Sequence, residues 1–212
     1  MVVLCGGILA AFQYALTPEK TLAVLQPDEF DPSLVDDSKL FVKKYHKIAP
    51  FELVNQNGDT ITQADYDGKI YVADFFFTTC PSICPIMTEN MLLVQEEFKN
   101  DPEVKILSHS VTPEIDSVEV LKEYAIKKGV DDSKWNLVTG DRKEIYDLAR
   151  KSYLAAKKNQ YGGEYAMVHT ENFLLVDKEG RLRSRSYDGT NEEDVKALIE
   201  DIYVLKESYK KD

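Results

Sequence analysis

The chain has 212 residues, with 26 Lys+Arg against 37 Asp+Glu, a formal charge of −11 and a sequence pI near 4.8. That length suits one compact domain with a tail, and 43% hydrophobic with 30% charged residues excludes a disordered, collagen-like or multi-span membrane protein. A surface this acidic repels phosphates and offers no basic stripe for counterion release, which excludes DNA and RNA binding.

Residues 1–16, MVVLCGGILAAFQYAL, form an apolar run broken only by Gln13. The run is short of the about 20 residues a membrane span needs, and it lacks the basic start of a secretory signal. It is expected to be an export or anchor segment, with a buried N-terminal helix as the alternative. Residues 17–47 mix Pro18, Pro27 and Pro32 with Asp28, Asp31, Asp36 and Asp37 and are expected to be a linker holding a domain off a surface. The domain itself is expected over 48–206, followed by a tail at 207–212.

Within the domain, Phe51 to Val54 followed by Asn57-Gly58 predicts a strand and tight hairpin turn, because Asn-Gly tolerates positive φ. Lys69 to Phe77 is a continuous β-branched and aromatic run and predicts a central strand buried on both faces. Val104 to Val111 is a second such strand, after which Asp116-Ser-Val-Glu119 resembles a capping box opening a helix with Val118, Leu121 and Ala125 inward. Trp135 to Val138 predicts a short strand, and Asp141 with Glu144 a helix along Ile145, Leu148 and Ser152. Asn172 to Val176 and Leu182 to Tyr187 predict a hairpin around Asp177–Gly180. Thr190 with Glu193 then caps a final helix whose buried face is Val195, Leu198, Ile199 and Ile202. This order is an α/β domain with a mixed central sheet flanked by helices.

Chemistry concentrates in Thr78-Thr-Cys-Pro-Ser-Ile-Cys-Pro85, where a strand's C-terminus meets a helix N-terminus. Pro85 would remove an intrahelical donor four residues after Pro81, so the regular helix is expected to begin at Pro85 with both sulfurs at its positive end. That location favours thiolate, the form needed for nucleophilic attack and for soft-metal ligation. Were residues 80–84 helical, Cβ atoms about 5–6 Å apart would suit a shared metal better than a disulfide, although a proline-bounded turn can close the gap. Met87, Met91, Val94 and Phe98 read as a core stripe. Among the histidines, His46 reads as solvated beside Lys43, Lys44 and Lys47, and His109 as a hydrogen-bonded histidine of the second long strand. His169 comes after a long glycine-containing loop, Ala155 to Val168, of a kind that often serves function.

The segment FFFTTCPSICP (75–85), with Val168-His-Thr170 before FLLVDKEGR, closely resembles the Sco/SenC family of membrane-tethered copper proteins. The likeness extends over about residues 48–206 and includes PFELVNQNGDTIT, SVTPEIDSVEVLKEYA, WNLVTGDRKEIYDLAR and YDGT. It implies a thioredoxin-like fold and one copper ion bound by Cys80, Cys84 and His169. It implies delivery of copper to, or reduction of the cysteines of, the copper A site in cytochrome c oxidase subunit II, with a thiol reductant as a further partner. It also implies a membrane anchor and a position on the periplasmic side of the inner membrane, with the mitochondrial inner membrane facing the intermembrane space as the alternative. Two positions depart from the family's pattern: Val168 and Thr112 stand where acidic residues are usual. Leu4-Cys5-Gly6 lacks the small residue a lipoprotein box places before its cysteine, so lipidation is not expected. Soft thiolates select Cu(I) and imidazole suits either oxidation state. Phe75, Phe76 and Phe77 are expected to dehydrate the site, and Tyr161, Gly162, Gly163 and Tyr165 to let the loop before His169 gate copper transfer. The expected role is that of a carrier rather than an enzyme. A thiol–disulfide oxidoreductase acting through Cys80 and Cys84, or a peroxiredoxin-like thiol peroxidase with Thr78 near its nucleophile, is the alternative.

Overall fold

The computed structural model describes residues 20–30, 32–155 and 170–210. The run at residues 1–16, the loop residues Tyr161 to Tyr165, Val168 and His169 lie outside them. Among the described residues no helix is long and apolar enough to cross a membrane.

A seven-stranded mixed sheet organises the domain: β1 (Glu52–Asn55), β2 (Thr60–Thr62), β3 (Ile70–Phe76), β4 (Val104–Ser110), β5 (Trp135–Thr139), β6 (Asn172–Val176) and β7 (Leu182–Asp188), in the order β2-β1-β5-β4-β3-β6-β7. The inner strands β3, β4 and β5 pair in parallel; β1–β2, β1–β5, β3–β6 and β6–β7 are antiparallel. β3 is buried at all seven positions, as its unbroken apolar run predicts. The β1–β2 turn carries Gly58 at φ 82°, the left-handed conformation that Asn-Gly anticipates.

Among the described residues four α-helices flank the sheet: α1 (Ile83–Glu97), α2 (Val118–Lys128), α3 (Arg142–Asp147) and α4 (Glu192–Ser208). Helices α1, α2 and α4 bury Met87, Met91 and Val94, Leu121 and Ala125, and Val195, Leu198 and Ile202 against one sheet face. At about 1.5–3 kcal/mol for each large side chain buried, such stripes hold the helices far better than helix propensity could. On the other face α3 packs Ile145 and Tyr146 beside Tyr71, Phe75 and Leu107. Directly after α3 the chain passes into a π-helical turn, Leu148–Ser152, where a continuous α-helix was expected.

Two caps differ from the sequence reading. Ser117, not Asp116, caps α2 by accepting the Val120 N–H, and Asn191, not Thr190, caps α4 by accepting that of Glu193. Asp116 is instead drawn inward, and Thr190 donates to Asp188. The stretch expected to be a linker contributes to the domain: Leu22 and Val35 are buried, and Val24 forms a bridge with Arg183 of β7. His46, expected in solvent, is 5% exposed, its Nε2 2.7 Å from the Ser152 carbonyl oxygen. Burial lowers its pKa against the opposing effect of that bond.

Candidate metal centre

The cysteine turn hangs between the end of β3 and the start of α1. The Cys80 N–H reaches back to the Phe77 carbonyl, and α1 begins at Ile83, two residues earlier than expected. Pro85 therefore occupies the third helical position. An N–H there has no partner within the helix, so proline removes no hydrogen bond. Ser82 stands at the N-cap, yet its side chain caps nothing; its Oγ lies 3.7 Å from Cys80 Sγ. The backbone N–H groups of Cys84 and Ser82 lie close enough to the Cys80 sulfur to favour its thiolate, and the sulfur stands at the positive end of the helix dipole.

Both cysteines are free and buried, at 6% and 3% exposure, but their protons are held very differently. Burial opposes ionisation of Cys80, and the hydrogen bonds from Cys84 and Ser82 outweigh it and bring the thiol down to about 7. Burial pushes Cys84 up to about 12, helped by its bond to Cys80 and by the charges of Cys80 and Asp74. Near neutral pH Cys84 therefore keeps its proton, while Cys80 is divided between thiol and thiolate.

Two carboxylates flank this turn, and the sequence reading gave neither a role there. Parallel pairing of β3 with β4 sets Phe76 beside Ser110, which brings the ends of both strands to Asp116. Asp116, fully buried, accepts hydrogen bonds from Thr78 Oγ1 (2.5 Å), the Thr78 N–H (3.3 Å), Ser110 Oγ (2.5 Å) and Thr112 Oγ1 (3.1 Å). The root of the cysteine turn is thereby fixed to β4 and to the approach of α2. By strand alternation Asp74 shares the sheet face of Ile70, Val72 and Phe76, which pack with Cys80 and Cys84. It accepts one hydrogen bond, from Ser108 Oγ, which in turn accepts from Trp135 Nε1. Burial raises the Asp74 carboxyl to about 7 against the lowering effect of Ser108. Tyr124 closes the same face, its hydroxyl 2.7 Å from Thr88 Oγ1 and its ring 5.6 Å from that of Phe76.

Met87, Met91, Val94 and Phe98 are all buried core, as their spacing predicts. The three phenylalanines divide: Phe76 packs with the cysteines, Phe77 borders both clusters, and Phe75 faces the opposite core. His109 lies with Phe75 there, fully buried, stacked on the Phe75 ring at 4.8 Å and donating from Nδ1 to the Asp74 carbonyl. Burial pushes it down to about 4. The sheet separates it from the cysteines, so it is a structural histidine, as expected. Among the described residues no three potential ligands gather, and the cysteines supply two.

His169 lies outside the described residues, and Thr170 and Glu171 follow it in sequence. β6 runs antiparallel to β3, so its first residues lie at the end of the sheet where the cysteine turn begins. Thr170 is buried, and its Oγ1 accepts the Asn172 N–H. The Glu171 carbonyl accepts the Gly189 N–H at 2.7 Å, and the Gly189 carbonyl accepts from Asn90 of α1 at 2.8 Å. The cysteine-bearing helix is thus bonded through Gly189 to the segment just after His169. A Cβ on Gly189 would stand 2.6 Å from the Phe173 ring, so only glycine permits this approach.

Comparison with known proteins finds relatives of this chain in both sequence and fold. The family model described as SCO1/SenC matches residues 42–204. The SCO1 protein homolog of Bacillus subtilis is 33% identical over 159 residues, covering 74% of this chain and 81% of its own. The structure of BsSco, described as having a disulfide switch and as a member of the Sco family of cytochrome c oxidase assembly proteins, is 31% identical. It superposes with a TM-score of 0.65, covering 76% of this chain and 93% of that one. Bradyrhizobium japonicum ScoI, solved with copper bound, is 29% identical with a TM-score of 0.57, covering 73% and 98%.

Proposed function

The chain belongs to the SCO1/SenC family, and from that premise we propose that it is a copper carrier holding one ion through Cys80, Cys84 and His169. The recipient is the copper A site of cytochrome c oxidase subunit II. The observation that carries this reading is the pair of free, buried sulfurs at the start of α1. Two sulfurs and an imidazole are a soft donor set that suits Cu(I) and tolerates Cu(II), and three ligands leave an edge open for an incoming ligand. The protein's own steps concern protons. Near neutrality about half of Cys80 is already thiolate, whereas Cys84 must release its proton to solvent to become a ligand. Loading is therefore expected to weaken as pH falls. The copper-bound state of ScoI supports a copper site in this family, and the tie through Gly189 holds the residues just after His169 to the cysteine-bearing helix. The anchor at residues 1–16 and a position on the periplasmic side of the inner membrane belong to the same proposal.

Thiol–disulfide exchange is the second reading, and the proton asymmetry favours it too: Cys80 is the nucleophile and Cys84 the thiol that closes on it. A disulfide switch in BsSco accords with it. Thr78 gives no help to a peroxidase, because its hydroxyl is committed to Asp116. Anaerobic Cu(I) titration of the reduced protein separates the readings, run beside His169→Ala and a Cys80→Ser, Cys84→Ser double variant. One copper per chain, with thiolate-to-Cu(II) charge transfer on oxidation and weaker binding in each variant, is the expected result. Binding indifferent to His169 would overturn the carrier reading.

A further inference from the structure

Phe41 and Tyr45 are 86% and 90% exposed, more than any other large apolar side chain among the described residues. They do not belong to a frayed segment. The Asp28 N–H bonds the Val42 carbonyl, the Val42 N–H bonds Lys39, the His46 N–H bonds Gln26 Oε1, and the His46 ring is buried against Ser152. Tyr45 is held between these ties at φ 64°, a left-handed conformation unusual for a residue with a side chain. A pinned loop thus presents two aromatic rings to the surroundings.

Charge on the same loop runs against that of the whole molecule. Lys39, Lys43, Lys44 and Lys47 fall within nine residues, and no Asp or Glu occurs between Ser38 and Phe51, in a chain of net charge −11. Lys43, Lys44 and Lys47 are exposed. The groove beside Lys39 and Lys47 adds no net positive charge, since Asp141, Glu144 and Asp147 line it with Lys143 and Lys151 and Asp147 pairs with both of those lysines, so the basic feature is the loop itself. Exposed aromatics among lysines are the chemistry of an interfacial contact: rings enter the headgroup layer while ammonium groups meet lipid phosphates. A long nucleic acid strand would have to run on over the acidic remainder, whereas a membrane meets only this tip.

Position fits as well. The Ile48 N–H bonds Gly180 in the β6–β7 turn, and the Gly68 N–H bonds Lys178 of that turn. This is the N-terminal end of β3, the opposite end of the sheet from the cysteine turn.

We propose that the Phe41–Lys47 loop docks the folded domain on an anionic lipid surface, a second membrane contact beyond the apolar segment 1–16. Bound this way, the domain turns its cysteines away from the bilayer. The test uses the full chain carrying Tyr45→Trp. The only native tryptophan, Trp135, is 2% exposed and serves as an internal control of folding. Vesicles of phosphatidylglycerol and phosphatidylcholine with chains brominated at carbons 6 and 7 should blue-shift and quench the new tryptophan and spare Trp135. Lys43→Glu with Lys44→Glu in the same background should raise the lipid concentration for half-quenching at least tenfold. Failure to bind the vesicles, absence of quenching despite binding, or equal quenching in phosphatidylcholine alone would each overturn the proposal. None of these readouts involves copper, so the result stands apart from the fate of the carrier reading.

Discussion

The two buried carboxylates beside the cysteine turn do opposite work. Asp116 accepts four hydrogen bonds from three residues drawn from β4, its following loop and the turn itself. Asp74 accepts one, from Ser108, and burial lifts its carboxyl to about 7. A carboxylate surrounded by donors is a fixed strut, while one left short of donors is a group whose charge is conditional. The turn is therefore held in place from one side and sits beside a protonatable group on the other.

The largest effect that can break this comparison concerns Asp74. Between the ordinary carboxylate range and about pH 7, the folded protein keeps a proton on Asp74 that the unfolded chain has lost. Stability from this group is thus greatest at low pH and falls as pH rises through that window. In urea unfolding at a series of pH values, the stability of the native protein minus that of Asp74→Asn should fall by up to about 4 kcal/mol between pH 4 and 8. A flat difference would make Asp74 a strut like Asp116.

Asp116→Ala comes next. It strands four donors, so a loss of roughly 3 kcal/mol is expected, seen as a melting temperature lower by about 6–12 °C. The smallest effect is the most local. Mass-mapped alkylation should label Cys80 with a rate rising through about pH 7 and leave Cys84 unmodified there. In Asp116→Ala, which frees Thr78, that midpoint should move up by about one unit as the N–H bonds to the sulfur loosen. In Asp74→Asn it should stay in place. Equal shifts in both variants would erase the distinction between strut and titrating group.

Periodicity made the sheet legible. The β-branched and aromatic runs of β3 and β4, the Asn-Gly turn and the inward stripe of α1 depend on residues close in sequence, so reading along the chain suffices. The cysteine pair was legible for the same reason, because strand, turn and helix start lie within fifteen residues. The features that escaped depend on distant partners. Asp116 reads as a capping residue beside Ser117 until Thr78, 38 residues earlier, is seen to claim it. His46 reads as solvated until Ser152, 106 residues later, buries it. The caps slipped by one residue because neighbouring Asp, Ser, Thr and Asn can all serve, and packing chooses among them.

Residues 22–25 cover an edge of the sheet. The Leu25 N–H bonds Leu182, the Ser184 N–H bonds Ala23, and Arg183 reaches the Leu22 carbonyl, so the upstream chain lies along the outer edge of β7. A bare seven-residue strand edge is a template on which another chain can add itself. By taking the hydrogen-bonding positions from Leu182 to Ser184 for themselves, residues 22–25 deny that part of the edge to a second copy, so a segment that reads as mere spacer in the sequence is also a guard against self-association.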